Sequence, residues 1–152
     1  MAQMQKSTVL VVGGGLSGLC LAHALLARGF SVHIFERDAS ADVRGQGYRL
    51  TIDETGSQAL RECLAARNYE SIRATASRID RTGEFLFMDE RAREFHRFTF
   101  DMTTLENRGL IAGQVDRRTL RQALLAGLGN RVHFGKTLAD YQENSGGHRR
   151  PI

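Results

Sequence analysis

The stretch "VLVVGGGLSGLCLAHALLARGFSVHIFERD", Val9–Asp38, sets three glycines directly behind an aliphatic run. Thr8 to Val12 is almost wholly β-branched or aliphatic, without alternation. Such a run predicts a strand covered on both faces, as in a parallel sheet. From Leu16 to Arg28, the residues Leu16, Leu19, Cys20, His23, Leu26 and Ala27 recur at three- and four-residue steps. That spacing predicts a helix with one broad buried face. Gly29 stands where a helix end favours a left-handed residue. Ser31 to Phe35 predicts a second strand, closed by Glu36. Strand, helix and strand within about thirty residues make a right-handed βαβ unit.

The glycines then acquire separate tasks. Gly13, Gly15 and Gly18 fit G-x-G-x-x-G. Gly13 permits the sharp turn out of the strand. Gly15 leaves room for a diphosphate against the backbone, and Gly18 lets the helix lie close to the strand. The helix N-terminus offers free N–H groups and partial positive charge to phosphates. Glu36 follows Gly18 by eighteen positions, near the ~20 at which an acid accepts hydrogen bonds from ribose hydroxyls. Glycine turns alone are common, but the strand, the helix and the acid together point to a dinucleotide. Arg37 suggests a 2′-phosphate partner, which Glu36 would repel. Nothing in this motif separates FAD from NAD, since both carry an ADP half.

Composition bounds the rest. The 152 residues are 41% hydrophobic and 25% charged, with sixteen glycines and one proline, which fits one ordinary packed domain rather than a disordered chain. The net charge is +4, but the basic residues are dispersed. The densest group, "RAREFHR" at Arg91–Arg97, is interrupted by Glu94 and Phe95, and no nucleic-acid reading module accompanies it. Cys20 and Cys63 lack metal spacing and predict buried thiols. No run approaches the ~20 apolar residues of a membrane span, and "MAQMQKST" is no secretory signal. The cytoplasm is the expected location. His33 and His96 lie in strand-like runs without a second metal ligand and are expected to be structural. No metal site and no nucleophilic triad is legible, so no catalytic residue is assigned.

The opening stretch resembles the N-terminus of the flavoprotein aromatic hydroxylases, the class A FAD-dependent monooxygenases with the p-hydroxybenzoate hydroxylase fold. The pair Glu36-Arg37 carries part of that likeness. "RGQGYRL", Arg44–Leu50, resembles the family's turn beside the cofactor, with Arg44 and Gly47 at the matching places. "VDRRTLRQALL", Val115–Leu125, is similar to the family pattern formed here by Val115, Arg117, Leu120 and Leu124. The resemblance implies an α/β fold: a Rossmann-like βαβ FAD-binding domain (GR2-type), with a β-rich substrate-domain insertion beginning within it. It implies FAD as cofactor, held by Gly13, Gly15, Gly18, Glu36, Arg37, Arg44, Gly47 and Arg117. NAD(P)H is implied as co-substrate, with O2, for hydroxylation of an aromatic or polyketide-like small molecule. The Asp-Gly and Gly-Asp motifs that the family carries further on are absent from this sequence. The chain is therefore expected to be a truncated form, binding FAD weakly or not at all alone. An open sheet edge is expected to favour oligomers or a partner chain.

The remaining elements follow from local signals. Asp53–Leu64 predicts a helix capped by Asp53, with Ala59, Leu60, Cys63 and Leu64 as its stripe. Tyr69–Ala76 predicts a short helix. Strands are expected at Ile79–Asp80, Glu84–Asp89 and Glu94–Phe100, with a turn at Thr82-Gly83 and the last two strands paired as a hairpin. By the resemblance, 79–100 begins the substrate-domain sheet. Phe85, Phe87, Phe95, Phe98 and Phe100 would then line either a pocket or the sheet core. Asp116–Leu128 predicts a helix capped by Asp116 and ended by Gly129, and Arg131–Lys136 a strand returning to the first sheet. The domain is expected to span 1–143, with 144–152 a disordered tail.

Overall fold

The computed structural model describes residues 7–43, 47–78, 82–101, 103–143 and 149–151. In chain order the strands are β1 (Thr8–Val12), β2 (Ser31–Phe35), β3 (Arg49–Ile52), β4 (Ser77–Arg78), β5 (Thr82–Met88), β6 (Glu94–Asp101), β7 (Gly113–Asp116), β8 (Val132–His133), β9 (Tyr141–Glu143) and β10 (Arg149–Pro151). The helices are α1 (Leu16–Ala27), α2 (Glu54–Cys63), α3 (Ala66–Thr75), α4 (Thr103–Asn107) and α5 (Arg117–Leu125). The chain forms two compact units, 1–46 with 118–152 and 47–117.

The first unit holds a parallel sheet in the order β1-β2-β8. Strand, helix and strand fall where the sequence places them, and β8 returns to pair with β2. Val32 and Ile34 are fully buried, with Val11 beside Ile34 in the register. The opposite face behaves differently. Leu10 and Val12 are 40% and 57% exposed, so β1 is covered on one face, not two as its unbroken aliphatic run predicts. In the register His33 and Phe35 stand beside Leu10 and Val12 on that second face. His33 and His133 share it, joined Nδ1 to Nε2 at 3.0 Å and stacked, with Phe35 stacked on His133.

Helix α1 buries Leu19, Ala22 and Ala24, whereas Ala27 is exposed. Leu16, Cys20, His23 and Leu26 of the expected stripe are half-buried, and Ala22 and Ala24 join Leu19 inside because the helix carries Leu or Ala on every side, so spacing alone does not select a face. His23 Nε2 donates to the Leu124 carbonyl at 2.7 Å, joining α1 to α5. Gly29 has φ of +84° and ends the α1 segment as expected. Asp116 closes β7 and directly precedes α5, which stops at Leu125, before Gly127 with φ of +85°. That left-handed residue ends the helical run earlier than Gly129. Cys20 and Cys63 are only half-buried. The expected tail contains β10, paired antiparallel with β9.

The second unit holds the antiparallel sheet β3-β7-β4 and helices α2, α3 and α4. Asp53 caps α2, accepting the Gly56 N–H at 2.7 Å. Ala59, expected in the buried stripe, is exposed, and Ser57 takes a place in it beside Leu60. Ser57 has 0% exposure and sits in a directional chain. The Ile111 N–H donates to Ser57 Oγ at 2.7 Å, Ser57 Oγ lies 2.9 Å from the Tyr69 hydroxyl, and that hydroxyl donates to the Gly109 carbonyl at 3.1 Å. Ser57→Ala would strand the Ile111 amide in a dry interior. We expect it to cost about 1–3 kcal/mol, seen as a lower urea midpoint; an unchanged midpoint would refute the chain's importance.

Strands β5 and β6 form the expected hairpin, with Phe85 opposite Phe98 and Phe87 opposite His96. Thr82-Gly83, expected as a turn, is paired within β5. Ile79–Asp80 lies outside the described residues. Phe85, Phe87, Phe95 and Phe98 are all exposed, Phe95 at 70%. They form no sheet core, because no layer among the described residues packs on this two-stranded ribbon. The turn is held by Asp89, which accepts from the Arg91 and Arg93 amides and from Arg93 Nε. Hydrogen bonds from Arg93, its backbone first, hold the Asp89 carboxyl below its ordinary 3.8. Arg97 likewise lowers Glu94 from 4.5. A carboxyl depressed in the folded state gives stability that is whole above its unfolded pKa and fades as pH falls through the folded one. Cross-hairpin NMR contacts should therefore be constant from neutral pH to 4.5 and weaken below 3.8. Contacts unchanged at pH ~2 would contradict that linkage.

Candidate dinucleotide-binding site

The turn between β1 and α1 gathers Gly13, Gly15, Gly18 and Glu36. Gly13 adopts φ of +106° while its N–H donates to the Phe35 carbonyl at 2.8 Å. A side chain there would be strained, as the sharp exit from the strand requires. At Gly18 a Cβ would lie 2.1 Å from the Gly13 carbonyl oxygen, so glycine is required by close packing. At Gly14 a Cβ would meet the Glu36 Cβ at 3.0 Å.

Gly15 is different. Its φ of −76° suits any residue, and a Cβ there would meet nothing within 4 Å. Packing within the unit therefore gives no reason for glycine at position 15. Gly15 is also the N-cap of α1, with no side-chain cap and no acidic residue in the first turn. The contrast with α2, capped by Asp53, is chemical. Among the described residues no side chain caps the N–H groups opening α1, which carry the positive end of the helix dipole.

Glu36 ends β2 and is only 5% exposed. Its Oε2 accepts the Gly14 N–H at 2.7 Å and its Oε1 the Asp38 N–H at 2.9 Å. Each carboxylate oxygen has a second lone pair, so these bonds orient the acid without exhausting it. Arg37 is exposed. Arg44 lies outside the described residues. Gly47 and Arg117 belong to the second unit, where the Arg117 guanidinium lies 5.5 Å over the Tyr48 ring and the Arg117 backbone N–H donates to the Tyr48 carbonyl. A Cβ at Gly47 would approach Asp116 Oδ2 at 3.4 Å.

One residue the sequence reading passed over stands at this turn. Arg121, on α5, is 7% exposed. Its Nε donates to the Gly14 carbonyl at 3.4 Å, its guanidinium reaches the Ala41 carbonyl, and it lies 6.0 Å over the Phe134 ring. The available signal was its position one residue after Leu120 and three before Leu124, a charge inside the buried stripe. Among the described residues no group of three or more His, Cys, Asp or Glu could hold a metal ion, and no helix is long and apolar enough to cross a membrane.

Comparison with known proteins agrees with this geometry. A family described as the NAD(P)-binding Rossmann-like domain matches residues 11–72. The dual O-methyltransferase/FAD-dependent monooxygenase CTB3 of Cercospora beticola is 35% identical over 142 residues, covering 88% of this chain and 15% of that protein. The FAD-dependent monooxygenase dbaB of Emericella nidulans is 31% identical over 137 residues, covering 88% of this chain and 32% of its own length. A protein of Photorhabdus luminescens described as a FAD-containing monooxygenase superposes with a TM-score of 0.74 at 28% identity, over 97% of this chain and 38% of that one. Klebsiella pneumoniae HpxO, solved with FAD and uric acid, shares the fold with a TM-score of 0.66 at 18% identity, over 99% and 38%. The chain thus spans well under half the length of these relatives. Over that length it is similar to FAD-dependent monooxygenases, and its own glycine turn lies at the start of an NAD(P)-binding Rossmann-like stretch.

Proposed function

We propose that this chain supplies the ADP-binding half of a FAD site in a monooxygenase. The carrying observation is Gly15: a glycine that no neighbour within 4 Å requires, at the uncapped start of α1. A diphosphate approaching the backbone accounts for it, with Glu36 beside it for the ribose. Gly13 and Gly18 shape the turn. Arg37, Arg44, Gly47 and Arg117 are the further proposed contacts, and residues 1–143 the proposed FAD-binding portion, with 79–100 opening a substrate-domain sheet. FAD, when bound, carries electrons from NAD(P)H to O2 for hydroxylation of an aromatic or polyketide-like small molecule. The chain's own residues hold the adenine end and orient it. The proposed location is the cytoplasm.

The match to an NAD(P)-binding family favours one second reading, in which NAD(P)H itself occupies the turn. Titration of the 15N-labelled chain by NMR separates the two. We expect millimolar ADP and FAD to shift the amides of Gly13 to Gly18, with NADH no tighter than ADP. Tight NADH binding would favour the second reading. No shift at the turn with any of the three would overturn both.

A further inference from the structure

We propose that Arg121 is a positioning residue of the dinucleotide site: it fixes the Gly14–Gly15 peptide so that the Gly15 N–H is presented to the diphosphate. The inference rests on reading the turn as that site. Gly14 is held at both ends. Its N–H donates to the buried Glu36 carboxylate and its carbonyl accepts from the buried Arg121 guanidinium. No peptide in the described chain is cis, and in a trans peptide the C=O and the following N–H point in opposite directions. A Gly14 carbonyl turned in toward Arg121 therefore turns the Gly15 N–H out. A cation on the carbonyl also polarises the peptide and strengthens that N–H as a donor.

The second link is the reach of the side chain. Arg121 touches Gly14 in the turn and Ala41 in the loop after β2, and it stacks near Phe134. The planar fork can serve two carbonyls at once, which a lysine ammonium on a flexible stem does less well. The third link is charge. None of the ion pairs among the described residues includes Arg121. A buried cation that among the described residues has carbonyls and an aromatic ring as partners, and no carboxylate, favours an anion nearby, and the diphosphate is one.

The test compares the 15N-labelled 152-residue chain with its Arg121→Gln and Arg121→Lys variants, using ADP as probe. We expect Arg121→Gln to weaken ADP about tenfold, as loss of a charge-assisted hydrogen bond does, and Arg121→Lys to restore part of it. In the ligand-free variants the Gly15 amide resonance should move while the amides of β2 stay in place, a signature that general destabilisation does not give. If Arg121→Gln does not fold, Arg121→Lys carries the comparison, with the same Gly15 shift and a smaller loss. Variants that bind ADP like the parent, with Gly15 unmoved, would overturn the positioning role and leave the dinucleotide reading standing. A parent chain indifferent to ADP would end both.

Discussion

Gly18→Ala is expected to destabilise the first unit severely. The added Cβ would sit 2.1 Å from the Gly13 carbonyl oxygen and 3.3 Å from its carbon. Both are backbone atoms, so no side chain can swing aside. Gly13 is itself pinned, with φ of +106° and its N–H on the Phe35 carbonyl. Relief would require α1 to shift away from β1 and β2, opening the core at Leu19, Val32 and Ile34, which are 0%, 1% and 0% exposed. Overpacking alone costs about 1–3 kcal/mol, and a clash with fixed backbone belongs at or above the top of that range. Against a typical total of ~5–15 kcal/mol, such a loss removes a large share of the stability. Urea denaturation followed by circular dichroism should show a markedly lower midpoint. A variant as stable as the parent would mean that helix and strand are not in close contact at this glycine.

The elements around this turn were legible because several local signals agreed. The aliphatic run, the glycine spacing, Gly29 and Glu36 all belong to one βαβ unit, and β1 and β2 fall where those signals place them. Asp53 was legible for a similar reason: a side chain that caps its own helix needs no distant partner. What failed was nonlocal. The aliphatic character of Leu10 and Val12 shows that a strand is apolar on both faces, but not whether anything covers the second face. The pairing of β10 with β9 depends on which strands meet, and "RRP" carries no strand signal of its own. The Thr82-Gly83 pair has turn composition, yet its place opposite Phe100 and Asp101 draws it into the ladder.

The site was partly legible on the same grounds. Gly13, Gly15, Gly18 and Glu36 are neighbours in sequence or at fixed spacing across one unit. Arg121 is 107 residues from Gly14, and only the packing of α5 brings the two together. Attention went to Arg117 because the family pattern marks it, while the charge inside the apolar stripe four residues later was passed over. A charged residue at a buried helical position is a sequence signal in its own right, because burying it demands partners.

Gly15→Val is the substitution that separates binding from folding. The backbone at Gly15, φ of −76° and ψ of 176°, is extended and open to any residue, and among the described residues nothing lies within 4 Å of the added Cβ. The stability cost should stay under about 1 kcal/mol, the loss of a favourable N-cap residue. The cost to the ligand is of another size. A branched side chain would occupy the space through which a diphosphate reaches the amides opening α1. An uncompensated clash of ~3 kcal/mol corresponds to about a hundredfold loss of affinity. NMR titration with ADP should therefore show little or no response at Gly13 to Gly18 in a variant whose urea midpoint is close to the parent's. Gly18→Ala lowers stability, whereas Gly15→Val keeps the stability and loses the ligand. Undiminished ADP affinity in Gly15→Val would mean that the bare glycine is not where the phosphates sit, and the turn would then be a joint between strand and helix and nothing more.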